Sequence, residues 1–188
     1  MTWEQMELFS DKELGIKPGI IGLSGYAQSG KDTVADILVK EYGYKRLAFA
    51  DNVRKVLYDL NPFVYGEPLQ VRVDAEGWEN AKKEPLVRIL LQSLGEAVRK
   101  HISNDAWIIA TFSSMDAESR YVIPDVRFTN EADIIKVCGG EVWRVSRPGV
   151  GPINRHISEV DMDSYEAHKY IQNEGSLEDL ETIVKGFF

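Results

Sequence analysis

The sequence predicts an α/β fold in three layers, a parallel sheet of about five strands with helices on both faces. Three observations predict it. An apolar run, Gly19-Ile-Ile-Gly-Leu-Ser24, leads into a glycine-bounded turn and then into an amphipathic stretch. From there to the end, segments with strand pattern alternate with segments of helical period. The 188 residues, 44% of them hydrophobic, suffice for one well-cored domain and are too few for two comfortable ones.

The turn reads Gly25-Tyr-Ala-Gln28-Ser29-Gly30-Lys31-Asp32-Thr33. Its two glycines let the backbone wrap closely around an anion. The N–H groups that open the following helix point at phosphate oxygens, and Lys31 adds a mobile positive charge. This is the pattern of a phosphate-binding P-loop, so Gly25, Gln28, Ser29, Gly30, Lys31, Asp32 and Thr33 are candidate contacts for a nucleoside triphosphate. Asp32 stands where Ser or Thr is usual. The context fits: Ile20, Ile21 and Leu23 make a buried strand before the turn. Val34, Ile37, Leu38 and Tyr42 recur at helical spacing after it, up to Gly43 as the stop.

Next, Tyr44 to Asp51 reads as a strand ending at an acid, and Asn52 to Leu60 as a helix stopped before Pro62. Residues 62–84, with Pro62, Gly66, Pro68, Gly77 and Trp78, read as a mobile insertion. A helix runs from Pro85 to about Lys100, its apolar stripe made of Val87, Leu90, Leu91, Leu94 and Val98. Asp105 to about Ala117 reads as another helix. Tyr121 to Asp125 reads as a strand, with Pro124 at its end because proline cannot donate to a ladder. Asn130 to Cys138 is a helix closed by Gly139-Gly140, and Glu141 to Ser146 is a strand. A loop rich in Gly and Pro runs to about Asp163, followed by a strand at His168 to Gln172. The last helix starts at Ser176 with Leu177, Leu180, Ile183 and Val184 inward. Residues 1–17 read as a polar, peripheral leader. The clusters at 25–33, Asp51, 125–127, Arg147 and Asn173 fall at carboxyl ends of strands, where open parallel sheets bind ligands.

Composition narrows the function. Thirty acidic against twenty-two basic residues leave a net charge of -8, which disfavours a polymeric nucleic acid as partner. A small phosphate ligand carrying Mg2+ needs only a local basic pocket and stays compatible. No apolar run approaches ~18 residues and the N-terminus lacks a signal-peptide pattern, so a soluble cytoplasmic protein with no membrane partner is expected. Cys138 is the single cysteine, and His101, His156 and His168 show no metal-ligand spacing with it.

On the helix at 85–100, Arg88, Gln92, Gly95 and Arg99 lie within ~60° of one another. They form either a solvated face or, beside a P-loop, a face able to fork onto a second phosphate. Asp125 can hold Mg2+ through water or orient the attacking group, with Arg127 neutralising charge on the moving phosphoryl; alternatively Asp125 caps the turn and Arg127 pairs with Glu131. Asp51 is either part of an acceptor site or a helix N-cap. Arg147 to Glu159, with Arg147, Arg155, His156 and hinge-permitting glycines, reads as a lid or as a surface loop.

Several segments together resemble the bacteriophage-type deoxynucleoside monophosphate kinases, within the P-loop nucleoside monophosphate kinase group. They are the Gly-Lys-Asp-Thr ending of the turn, Phe49-Ala-Asp51, Arg88 to Glu96, Asp125 to Glu131, Arg147-Pro-Gly149, His156 to Glu159 and Asn173 to Leu177. They cover most of residues 18–184 in order; the first seventeen residues and 62–84 lie outside. The resemblance implies transfer of the γ-phosphoryl of ATP, with Mg2+, to a deoxynucleoside 5′-monophosphate, dTMP among the possible acceptors. In it Lys31 stabilises the transferring charge, Thr33 holds donor phosphates, Asp125 serves the metal, Asp32 serves it through water or instead orients Lys31, and Asn173 lies near the adenine. Asp51, Lys55, Arg88, Gln92, Arg99 and Arg127 grip the acceptor, and Arg147 and Arg155 close over the phosphates. The implied organisation is one domain with a core of 18–50, 105–146 and 164–188, an acceptor-binding region at 51–104 and a lid at 147–163. Small nucleotides are the implied partners, a homodimer is compatible, and the compartment is the host cytoplasm if the source is viral. Two other readings stay open: a P-loop kinase of another small acceptor, of dephospho-coenzyme A or phosphomevalonate type, and a nucleotide-binding switch without transfer.

Overall fold

The computed structural model describes residues 19–152 and 157–188, with the backbone alone for Ser158 and Glu159. In chain order its elements are β1 (Ile20–Ser24), α1 (Lys31–Tyr42), β2 (Lys45–Arg46), α2 (Phe49–Leu60), β3 (Phe63–Val64), β4 (Glu67–Pro68), α3 (Leu69–Ala81), α4 (Pro85–His101), α5 (Ala106–Phe112), β5 (Tyr121–Ile123), α6 (Thr129–Val137), β6 (Glu141–Ser146), α7 (Ile157–Val160), β7 (Lys169–Gln172) and α8 (Leu177–Lys185). They form two compact units, Phe49–Thr111 and the described remainder.

In the larger unit β1 is central and every residue of it is buried, which is why it reads as a continuous apolar run. The sheet order is β2-β5-β1-β6-β7 and every pairing is parallel, with Ile21 opposite both Val122 and Glu141. Each carboxyl end therefore opens on the same edge. On one face Ile21, Leu23, Val122, Trp143, Val145 and Ile171 pack with Val34, Ile37 and Leu38 of α1 and with Leu180 and Val184 of α8. On the other face α6 lies close: a Cβ on Gly22 would stand 2.6 Å from Ile135 and 2.8 Å from Val126. Glycine in the middle of β1 thus permits the helix to approach the sheet. Helix, sheet and helix make the expected three layers. Among the described residues no helix is long and apolar enough to cross a membrane.

The smaller unit has its own core, in which Leu57, Val64, Leu69, Val73, Ala81 and Val87 are buried and Tyr58, Trp78, Leu90, Leu91 and Leu94 pack around them. At roughly 1.5–3 kcal/mol for each fully buried aliphatic side chain, this set is large enough to order the segment. The β3–β4 hairpin is pinned at its base, where Gln70 N donates to Asn61 Oδ1 at 2.9 Å and Gln70 Nε2 to the Tyr58 carbonyl at 3.0 Å. Residues 62–84 are therefore a hairpin and a helix, not the mobile insertion expected, because Val64, Leu69, Val73 and Ala81 supply an apolar face. The helix bends at Gly77, whose φ of 74° is outside the helical range.

Further expectations are corrected. The strand placed over Tyr44 to Asp51 shrinks to Lys45–Arg46, because β5 offers only Tyr121 and Val122 as partners and Phe49 joins the helical period of Val53 and Leu57. Asp51 consequently sits in the first turn of α2, not at a strand end. The helix expected over 105–117 stops at Phe112. The glycine-rich loop contains the short α7, and Leu177 is 57% exposed while Leu180 and Val184 carry the inward face of α8. The leader at 1–17 lies outside the described residues.

Candidate functional site

The turn after β1 is shaped by backbone that few side chains would tolerate. Gly25 has φ 136° and Gly30 φ 104°; a Cβ on the first would run into the Val145 carbonyl and on the second into the Asn173 amide. Gln28 also takes a positive φ, 66°. Across this loop Lys31 Nζ donates to the carbonyls of Gly25 and Tyr26, each at 2.7 Å. Ser29 is buried, and its carbonyl accepts Asn173 Nδ2 at 3.0 Å. Asn173 is held in turn by its own N–H on the Ser146 carbonyl at 2.8 Å. The resemblance puts Asn173 near an adenine; in the structure its amide nitrogen holds the loop. Thr33 is half-buried in the first turn of α1, where free N–H groups and the helix dipole favour an anion.

Beyond β5, buried Pro124 is followed by half-buried Asp125 and exposed Arg127. Glu131 is buried, and its Oε2 accepts the backbone N–H of Arg127 at 2.8 Å and of Phe128 at 3.1 Å. That carboxylate caps α6 by taking main-chain protons. Asp161 adds a second cap, accepting Thr129 N at 2.8 Å. Arg127 and Arg144 line one open cleft with Gly25, Tyr26, Ser146 and Asp163. Two cations beside the glycine-bounded turn make this cleft suited to phosphate oxygens. Arg147 follows β6 and is exposed; Arg155 and His156, the rest of the expected lid, lie outside the described residues.

Asp32 points elsewhere. Its side chain is 78% exposed and forms an ion pair with Arg46 of β2, whose other nitrogen is 3.6 Å from Asp36. Among the described residues no three His, Cys, Asp or Glu gather into a metal cage. Mg2+ needs none, since it is commonly held by one or two carboxylates and the substrate's own phosphates. Asp125, beside the cleft-lining Val126 and Arg127, fits that mode. Asp32 is paired with Arg46 at the exposed start of α1.

In the smaller unit, Asp51 lies 3.6 Å from Arg54, which also reaches Glu79 at 3.3 Å. Lys55 and Arg88 are exposed, and Gln92 and Arg99 are half-buried on α4. The Gly95 carbonyl accepts Trp107 Nε1 at 3.1 Å. A Cβ there would meet only Val53, at 4.0 Å, so no clash demands this glycine.

Sequence reasoning passed over Tyr26, Arg46, Arg144 and Asp163. Arg144 carried a legible signal, a charged residue between the buried Trp143 and Val145 of β6. The others carried none, because each acts on a distant residue.

The sequence profile of the family described as deoxynucleotide monophosphate kinase matches residues 63–184. The match includes 63–84, which lies outside the segments that carry the resemblance, and it begins after the P-loop. A protein of Acanthamoeba polyphaga mimivirus named as a deoxynucleotide monophosphate kinase is 29% identical over 166 residues, covering 81% of this chain and 86% of that protein. The deoxynucleotide monophosphate kinase of Enterobacteria phage T4 is 29% identical over 112 residues, 56% of this chain and 46% of the phage protein, so the aligned part spans about half of that relative. Among solved structures, shikimate kinase from Aquifex aeolicus vf5 aligns over 89% of this chain and 94% of its own, with 15% identity and a TM-score of 0.45, too loose a likeness to argue from.

Proposed function

We propose that this chain, which belongs to the deoxynucleotide monophosphate kinase family, transfers the γ-phosphoryl group of ATP to a deoxynucleoside 5′-monophosphate, giving ADP and the deoxynucleoside diphosphate. One observation carries the donor half: Lys31 bridges the Gly25 and Tyr26 carbonyls over a loop that closes on the start of α1. In this reading the ammonium exchanges those carbonyls for donor phosphate oxygens, which make stronger, charge-assisted partners. The N–H groups of the loop and of α1, with Thr33, hold the remaining oxygens. Asn173 keeps the loop in place from β7.

An oxygen of the acceptor's phosphate attacks the γ-phosphorus in line, and the bond to the bridging oxygen of ADP breaks. Little covalent chemistry is asked of the protein, so positioning and charge supply the acceleration. Arg127 and Arg144 face the cleft where charge would develop, and Arg147 and Arg155 are assigned to close over it. Asp125 would hold Mg2+, which supplies charge neutralisation on the phosphate oxygens when bound. Arg88, Gln92 and Arg99, with Asp51 and Lys55, are assigned to the acceptor on the strength of the family resemblance. We place the reaction in the cytoplasm, where free nucleotides and ATP meet.

A coupled assay of ATP-Mg with each of the four deoxynucleoside monophosphates, dTMP included, and their ribose counterparts tests the proposal. Diphosphate from at least one deoxynucleotide, in preference to dephospho-coenzyme A or phosphomevalonate, is expected. No diphosphate from any of the four would sink it.

A further inference from the structure

We infer that Gly95 is a specificity-determining residue for the acceptor: the space beside its Cα receives the nucleobase of the deoxynucleoside monophosphate. The inference rests on the proposed kinase reading for the kind of ligand. Gly95 lies well inside α4, and its φ is on the ordinary negative side. After proline, glycine is the poorest residue for a helix interior, so its presence there weakens α4. The fold gains nothing in return. Among the described residues a Cβ at 95 would touch one atom, Val53 Cγ1 of α2, at 4.0 Å, which is ordinary van der Waals contact. Trp107, whose Nε1 donates to the Gly95 carbonyl at 3.1 Å, stays clear of that Cβ as well. Gly22 and Gly140 show the opposite case, since a Cβ on either would stand 2.6 Å from a neighbour.

The residues sharing its helix face indicate what the space is for. Arg88, Gln92 and Arg99 lie with Gly95 within ~60°; Arg88 is exposed, and Gln92 and Arg99 are half-buried. The face therefore carries a cation toward each end and, between them, an amide beside bare backbone. A nucleoside monophosphate asks for both parts: charge for its phosphate, and for its base a flat surface with a donor and an acceptor in reach. Glycine lets a planar ring come as close as the backbone itself permits, and Val53 adds an apolar neighbour. The Trp107 bond fixes this turn of α4 from α5. A methyl at 95 would fit the protein and intrude on the base.

Calorimetry on the full chain tests this with G95A and G95V, titrated with each of the four deoxynucleoside monophosphates. Deoxyribose 5-phosphate serves as a probe that has the sugar phosphate and lacks the base. G95A should keep or raise the thermal midpoint, by up to about 4 °C, because alanine is the better helix former. It should nevertheless weaken the best-bound nucleotide about fivefold or more, and G95V about tenfold or more. Both variants should bind deoxyribose 5-phosphate and ATP-Mg within about twofold of the parent. The proposal fails if both variants keep parental affinity for the nucleotide, or if the base-free probe is weakened as much as the nucleotide. It fails equally if G95A lowers the thermal midpoint by more than about 2 °C, which would make this a glycine the fold requires. A parent that binds no deoxynucleoside monophosphate defeats the kinase reading and this inference with it, whereas a parent that binds one no better than both variants do defeats this inference alone. G95A decides the matter even where G95V fails to fold.

Discussion

Asn173 donates its side-chain amide to the Ser29 carbonyl at 3.0 Å, so the end of the last strand braces the P-loop across 144 residues. Both residues are buried, Asn173 to 8% exposure and Ser29 to 1%. Removing the amide leaves a buried carbonyl without its partner, at a cost of about 1–3 kcal/mol. Asn173→Ala should lose that much in urea denaturation and should weaken ATP binding by calorimetry. Asn173→Asp should lose more, since a carboxylate cannot donate and would face a carbonyl oxygen.

Gly25 and Gly30 are predicted to be irreplaceable for a second, steric reason. Each holds a positive φ and each would drive a Cβ into a neighbour, the Val145 carbonyl or the Asn173 amide. Gly25→Ala and Gly30→Ala should therefore abolish measurable ATP-Mg binding in calorimetry while the far-ultraviolet circular dichroism stays close to the parent's. Retention of parental affinity in either would show that the loop does not hold the triphosphate.

Lys31→Ala separates chemistry from folding. Alanine is the best helix former, and position 31 opens α1, so the helix should persist. Turnover should fall by about 10²-fold or more, because the lost charge acts on the transferring group. Arg88→Ala should instead raise the acceptor KM and leave the affinity for ATP unchanged.

The pairing of Asp32 with Arg46 predicts a division between the two candidate metal carboxylates. Asp32→Asn should leave the Mg2+ concentration for half-maximal rate within about twofold, whereas Asp125→Asn should raise it about tenfold or more. Arg46→Ala should cost less than about 1 kcal/mol of stability, as expected of an exposed pair. A tenfold rise for Asp32→Asn would return that carboxylate to the metal.

Tyr44 gives the fold an alkaline limit. Burial pushes its phenol up to about 12, partly opposed by the Arg120 guanidinium 5.0 Å from the ring centre. The folded value is raised above the ordinary value of about 10, so the unfolded chain loses its proton first. The stability contribution is complete below pH ~10 and is lost as pH rises toward ~12. Urea midpoints for the parent and Tyr44→Phe should converge across that window. Some slope will remain in the variant, because burial pushes Tyr165 up to about 12 as well.

Legibility in the sequence tracked chain distance. Everything from Ile20 to Gly43 was readable, strand, loop, helix and stop, because a turn and a helical period are decided within a few residues. The helix over Pro85–His101 and the strand over Glu141–Ser146 were readable for the same reason. Tyr44 to Asp51 misled because its apolar pattern suits strand or helix, and the short neighbour β5 decided between them. The segment 62–84 misled because its glycines and prolines are conspicuous and its four buried residues are spread among them.

By itself, the sequence determined the kind of fold, the P-loop and the resemblance to a kinase family. It did so because these depend on backbone geometry and periodicity local to each segment. Only the tertiary structure decided which distant groups meet that loop and the start of α1: Asn173 on Ser29, Asp163 on Tyr26, and Arg46 on Asp32. Those partners lie between 14 and 144 residues apart. Asn173 and Asp163 reach the loop because five parallel strands bring their carboxyl ends to one edge, and Arg46 reaches Asp32 because β2 runs on that sheet's outer side. No local spacing encodes such a convergence.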